Sequence, residues 1–172
     1  MNKIICSGAF FYAQKTKTFM FLQRTGKHSG QWGLVGGKTN DTETPFEGLK
    51  RECIEEIGSM PTHTKVIPLE LFTSNDNQFQ FHTYVVVVKD QFIPKLNGEH
   101  SGFTWVKNSC WPKPLHQGLK HTLNDKSIKN YGIGAQIIKD LKIKKMILIT
   151  KSPKKVIGLD GYGIKITKQE II

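Results

Sequence analysis

The sequence predicts an α/β protein, and three observations carry that reading. Apolar segments of strand length, bounded by turn residues, fill the first two thirds of the 172 residues. One strongly marked amphipathic helix interrupts them, from Pro45 to Ile57. The last 46 residues then alternate in the order α-β-α-β, as in part of a parallel α/β layer. With 38% hydrophobic and 23% charged residues, collagen, long disorder and a membrane bundle are excluded.

Taken in order, Ile4–Tyr12 and Thr18–Gln23 read as a hairpin joined by the polar Ala13–Lys17 turn. Only Lys3 precedes the first run and no small-x-small cleavage site follows it, so it is a strand rather than a signal segment. Gly26–Gly37 reads as a glycine-punctuated loop carrying Trp32. Val66–Phe72 and Phe79–Val88 are strands, and the unbroken run Val85–Val88 suits one covered on both faces. Phe103–Val106 is a short strand, Trp111–Pro114 breaks regular structure, and a short helix falls around Leu115–Leu123. Farther on, Ile133, Ile137, Ile138 and Leu141 have helical spacing and Met146–Ile149 is a short buried strand. Ser152-Pro153 starts a helix, Gly161–Gly163 is a turn and Ile164–Thr167 a last strand.

The charge balance is 25 Lys+Arg against 14 Asp+Glu, a net +11, which favours anionic partners such as nucleotides, polyphosphates or nucleic acid. From Ser127 on, 10 lysines against 3 acids hold +7 of it. Cys6, Cys53 and Cys110 show no paired or metal-ligand spacing, which fits a reducing, cytoplasmic setting. No apolar run approaches the roughly 18 residues of a membrane helix. The six histidines lack zinc-site spacing.

The chemistry concentrates on the helix. Thr44 is a good N-cap, Pro45 sits at the first helical position, Glu47 completes a capping box and Gly58 ends the helix. Phe46, Leu49, Cys53, Ile54 and Ile57 form the expected buried stripe. Glu52, Glu55 and Glu56 stand at i, i+3 and i+4 and share a face. A hard divalent cation such as Mg²⁺ would relieve their repulsion, and an acidic solvated face would look the same from these three residues alone.

The wider spacing is more specific. Gly37, Glu43, Arg51, Glu52, Cys53, Glu55, Glu56 and Gly58 fit G-x5-E-x7-R-E-U-x-E-E-x-G, which resembles the Nudix box. Cys53 fills the apolar position, Ser59 replaces the usual aliphatic residue after Gly58, and Val35 stands where Gln31–Gly37 would usually have proline. The resemblance implies an α/β/α sandwich with a mixed sheet over residues 1–126. It implies a pyrophosphohydrolase that uses Mg²⁺ or Mn²⁺ and water to cleave a nucleoside diphosphate linked to another moiety. Glu52 and Glu56 match metal ligands, Glu55 a further or outer ligand, and the Gly37 carbonyl another. Glu43 and Arg51 match a salt bridge pinning the loop to the helix. Arg24, one of only two arginines, matches a strand-end phosphate contact and reads equally as a surface charge. Glu99, in Asn97-Gly98-Glu99-His100, matches a loop that can add a catalytic or metal-binding carboxylate. Trp32, Phe79 and Tyr84 are aromatic candidates for a base, or core.

Residues 127–172 carry a second resemblance. Tyr131–Ile137 (YGIGAQI) and Gly158–Gly163 (GLDGYG) resemble the C-terminal part of GTP cyclohydrolase II. There Thr150 and Lys155 match contacts to GTP. That family's zinc cysteines and catalytic region are missing, so the extension is either an assembly element or a retained nucleotide-binding piece. A segment of this size needs another surface to complete its core.

The favoured substrates are ADP-ribose, FAD or dinucleoside polyphosphates, with nucleoside triphosphates or capped RNA as alternatives. A non-catalytic nucleotide-sensing or RNA-binding module is the rival of another class. A nucleotide is the expected partner; RNA and a homodimer stay open, and no membrane partner is expected.

Overall fold

The computed structural model describes residues 3–108, 110–124, 138, 142–150 and 163–171. The chain divides into two compact units, Met1–Thr122 and Leu123–Ile172. Unit 1 runs β1 (Ile4–Ala13), β2 (Thr18–Arg24), β3 (Trp32–Gly33), β4 (Val35–Lys38), α1 (Pro45–Ile57), β5 (Lys65–Thr73), β6 (Phe79–Val88) and β7 (His100–Lys107), with α2 (Gln117–Asn124) at its end.

The sheet is mixed, as expected, and β1 is its spine. It runs parallel to β6 from Ile4↔Phe79 to Ala13↔Val88, and antiparallel to β2 through the short hairpin at Tyr12↔Phe19. β5 closes one side against β6, and β7 pairs β2 on the other. Val85–Val88 are all buried, as an unbroken apolar strand requires. Against one face Ala9, Phe11, Val86 and Val88 pack with Leu49, Cys53 and Ile57 of α1. Phe10, Phe19, Phe21 and Trp111 make a separate ring cluster, with edge or tilted contacts at 5.6–6.2 Å.

Two sequence expectations need correction. Gly26–Gly37 is more than a loop: it holds a 3-10 turn at Gly26–His28 and the strands β3 and β4. β4 pairs β1 antiparallel, Gly36 opposite Gly8 and Gly37 opposite Ser7. Glycine is required there, because Gly36 has φ +143° and any Cβ would overlap the Ser7 carbonyl oxygen. Ile54 is not in the buried stripe but is 59% exposed. Leu49, Cys53, Glu56 and Ile57 share one side of the helix, and Ile54 falls beyond the edge of that side.

In unit 2, β8 (Lys145–Thr150) runs parallel to β9 (Lys165–Ile171). The expected buried strand is there but only half covered: Met146 and Leu148 are partly buried, Ile147 and Ile149 exposed. Alternation places these pairs on opposite faces. The helix at 133–141, apart from helical Ile138, and the Ser152-Pro153 start lie outside the described residues.

Gly36→Ala should cost about 2–4 kcal/mol, since backbone strain and overlap with β1 add. A urea titration reads it as a lower midpoint at unchanged slope; an unchanged midpoint would mean that β4 does not press on β1 as described.

Candidate active site

The site starts from the ends of α1. The Thr44 side chain accepts from the Glu47 N–H and the Glu47 carboxylate accepts from the Thr44 N–H, so the capping box is complete. Gly58 closes the helix in the left-handed conformation at φ 84°. These two stops fix the rotation of α1, and the rotation decides where each glutamate points.

Arg51 is the hub. Its Nε donates to Glu43 Oε1 at 3.0 Å, and Nη1 to Glu52 Oε1 at 2.9 Å and to Glu55 Oε2 at 3.0 Å. Nη2 donates to the Lys38 carbonyl at 2.7 Å. One planar fork thus joins the end of β4, the 39–44 loop and two turns of α1, which a lysine could not do. The Asn40 N–H and then the Arg51 guanidinium hold the Glu43 carboxyl below its ordinary range.

Glu56 is the opposite case. It is 2% exposed, and its Oε2 accepts from the Gly36 N–H at 2.8 Å. Burial pushes its carboxyl up to about 8; Glu52 and Glu99 add to the rise, while the Gly36 N–H and Arg24 oppose it. Glu52 is also raised, by burial first and by Glu55 and Glu99, against the pull of Arg51. Its carboxyl lies over Gly37, where a Cβ would stand 2.6 Å from it. Two of the three carboxylates, Glu52 and Glu56, are therefore turned inward onto Gly36-Gly37, while Glu55 stays exposed.

Arg24 ends β2, with its stem beside Gly33, where a Cβ would stand 3.7 Å from the Arg24 Cδ. The structure brings it into the field of Glu56. Glu99 is exposed, just ahead of β7, and acts electrostatically on both Glu52 and Glu56. Tyr84 packs on Phe46 beside the core, with ring centres 5.7 Å apart. Phe79 stacks with Phe72 and Phe81. Trp32 lies in β3, its N–H bonded to the Pro114 carbonyl at 2.8 Å. Thr150 ends β8, in unit 2, and Lys155 lies outside the described residues.

Sequence reasoning passed over His100. It opens β7 opposite Arg24, where the β2–β7 register shifts, and its side chain is fully buried 3.8 Å from Glu56 Oε1. Burial, then the Arg24 charge, lowers its pKa to about 4, so the ring is neutral. The Glu-His pair ahead of a β-strand was the available signal, but nothing in the sequence marks the bulge that turns the ring inward.

Among the described residues, no three His, Cys, Asp or Glu side chains stand in metal-holding geometry. Arg51 draws Glu52 and Glu55 to itself, and Glu56 turns to Gly36. The donor chemistry nevertheless fits a hard divalent cation: oxygen ligands, a buried carboxyl that binds a proton up to about 8, and a glycine cradle that a Cβ would fill.

Comparison with known proteins matches both parts of the chain. The NUDIX domain family matches residues 4–124. The GTP cyclohydrolase II family matches residues 116–170, so the second likeness begins upstream of the expected residue 127 and includes α2. A MutT NUDIX hydrolase from Burkholderia pseudomallei superposes with TM-score 0.54 at 20% identity, over 70% of this chain and 95% of that one. A MutT/nudix family protein from Enterococcus faecalis gives 0.51 at 17% identity, over 61% and 44%. These identities show a shared fold. The riboflavin biosynthesis protein RibBA of Chlorobium phaeovibrioides is 55% identical over 42 residues, which are 24% of this chain and 10% of that protein. The chain thus matches about a tenth of that curated relative's length.

A pH dependence follows from Glu56. Its proton is held more tightly in the folded state than at the ordinary value of 4.5. Metal-free protein should therefore lose stability as pH rises from that value through about 8, by an amount on the order of a few kcal/mol. A bound divalent cation replaces the proton and should remove most of the loss. Melting curves at pH 5.5 and 8.5, in EDTA and in Mg²⁺, check this; parallel curves would show that no cation meets Glu56.

Proposed function

The chain belongs to the NUDIX family, and from that premise we propose that it hydrolyses the diphosphate bond of a nucleoside diphosphate linked to another moiety. The observation that carries this is the inward-turned pair Glu52 and Glu56, set over Gly36-Gly37, with Glu52 tied through Arg51 to Glu43. Glu52 and Glu56 would hold Mg²⁺ or Mn²⁺, with the Gly37 carbonyl and Glu55 as further ligands. The ion, when bound, supplies charge stabilisation on the phosphate oxygens and a more acidic water. Glu99, exposed just ahead of β7, would on this reading accept a proton from the attacking water. The Arg24 guanidinium suits a phosphate oxygen. Arg51 does not touch substrate in this reading; it holds the ligand-bearing helix against the loop.

The rival reading is a nucleotide sensor without turnover. A sensor has no use for the whole carboxylate set, so metal-dependent turnover separates the two. The substrate panel begins with ADP-ribose, FAD and dinucleoside polyphosphates, and continues with nucleoside triphosphates and capped RNA. Absence of turnover on every member, with nucleotide binding intact, would favour the sensor. For unit 2 we infer an assembly role over a GTP site, because β8 leaves Ile147 and Ile149 exposed. On that reading, Thr150→Ala and Lys155→Ala leave KM near wild type, and the chain releases no formate from GTP.

Glu56→Gln should lower kcat by orders of magnitude, because a neutral amide is a poor ligand for a hard divalent cation. Its circular dichroism should be unchanged, because the amide has the shape of the protonated carboxyl and loses no charge pairing. Near wild-type turnover would remove Glu56 from the chemistry. Arg51→Ala should weaken Mn²⁺ binding and speed amide exchange over residues 38–43, since it frees Glu43 and the Lys38 carbonyl together. Unchanged exchange would show that the loop stands without it.

A further inference from the structure

His100 is a buried polar group with no visible occupation. Its side chain has no exposure, and neither ring nitrogen has a hydrogen-bond partner among the described residues. Leaving such a group unsatisfied is destabilising, a cost that leucine or phenylalanine at the same place would avoid. The ring is held in place by its backbone: His100 pairs with Arg24 across the irregularity at Gln23/Arg24, and its N–H bonds to the Asn97 carbonyl at 3.3 Å. It cannot easily turn out to solvent.

Glu56 Oε1 lies 3.8 Å from His100 Nε2, beyond hydrogen-bond range by less than about 1 Å. The other oxygen of Glu56 is already engaged by the Gly36 N–H. A neutral imidazole has one N–H to give and a carboxylate has only acceptors. A small rotation of either side chain therefore satisfies both.

We propose that His100 is a positioning residue for Glu56: its Nε2–H holds Oε1 while the Gly36 N–H holds Oε2, fixing the carboxylate in the orientation that receives the divalent cation. This rests on the reading of Glu56 as a metal ligand. A carboxylate fixed through both oxygens loses less freedom when the ion arrives, so affinity rises. Partners of this outer kind are worth about 10–100-fold in metal affinity. Because His100 follows Glu99 directly in sequence, the short segment that bears the exposed carboxylate also secures the buried one.

The test uses the full chain with Mn²⁺ as probe. Wild type, His100→Leu, His100→Phe and His100→Gln are compared by Mn²⁺ titration, by melting in EDTA, and by kcat and KM at saturating metal. Leu and Phe both remove the donor, and Phe keeps the ring volume if Leu leaves a destabilising gap. The expected result is a melting temperature in EDTA no lower than wild type for the better-packed of the two. Its Mn²⁺ Kd rises about 10–100-fold, and kcat falls while KM stays. His100→Gln, which keeps an N–H, recovers most of the affinity. A Kd within twofold of wild type in the apolar variant overturns the role and leaves His100 as core. Failure of wild type to bind Mn²⁺ overturns the metal reading and this role together. Weakened Mn²⁺ binding in a protein that turns over no substrate keeps His100 and rejects the hydrolase.

Discussion

The arrangement of the site depends on the guanidinium of Arg51. Three carboxylates from two segments meet one cation: Glu43 from the loop, and Glu52 and Glu55 from successive turns of α1. Isolated surface ion pairs contribute little, but a planar fork that also takes the Lys38 carbonyl is a geometric constraint as much as an energetic one. Without it the loop between β4 and α1 has the capping box at one end, the β1–β4 pairing at the other, and only the Asn40–Glu43 turn between them. Arg51 also explains how three glutamates at helical spacing coexist without an ion. It draws Glu52 and Glu55 toward the loop side, while Glu56 goes inward to the Gly36 N–H.

That partition leaves one unresolved demand. Glu56 is deep, faces the fields of Glu52 and Glu99, and has only an amide N–H bonded to it. In the absence of a cation, burial is answered by a proton. The fold thus carries a carboxyl whose comfortable state is neutral near physiological pH, and whose ionised state needs a positive partner that Arg24 supplies only at a distance. The fold tolerates this cost because α1 is anchored by strong features on both sides. Leu49, Cys53 and Ile57 are sealed into the core, and each end of the helix has its own stop. A site of this kind needs a rigid scaffold, and β1, paired along its length with β6 and braced by β2 and β4, provides it.

Much of this was readable before any coordinates. Thr44-Pro45, Glu47 and Gly58 gave both ends of α1, and the valine run gave the central strand β6, because each of those signals acts within a few residues. The missed features all depend on residues distant in sequence. Ile54 fits a helical apolar spacing, yet Leu49 and Ile57 face the sheet and leave it outside. β4 is too short and too glycine-rich to look like a strand. It is one because Gly36 and Gly37 can lie against Gly8 and Ser7, some thirty residues upstream. His100 turns inward because of a register shift between β2 and β7, and no local pattern encodes a shift. The carboxylate set could be identified from its spacing; that one member is solvent-facing, one shared with arginine and one buried could not.

The two family likenesses overlap on the chain. Residues 116–124 belong to both matched ranges, and α2 lies inside that overlap. The division between the compact units also falls within α2, between Thr122 and Leu123. Domain boundaries usually lie in exposed linkers rich in proline, glycine or polar residues, where the chain can be cut without exposing apolar surface. Here the division falls within a helix whose Leu119, Thr122 and Leu123 are buried. All the carboxylates of the candidate site precede α2, whereas Thr150 follows it. The residues named for the chemistry proposed for unit 1, from Arg24 to His100, all lie within that unit.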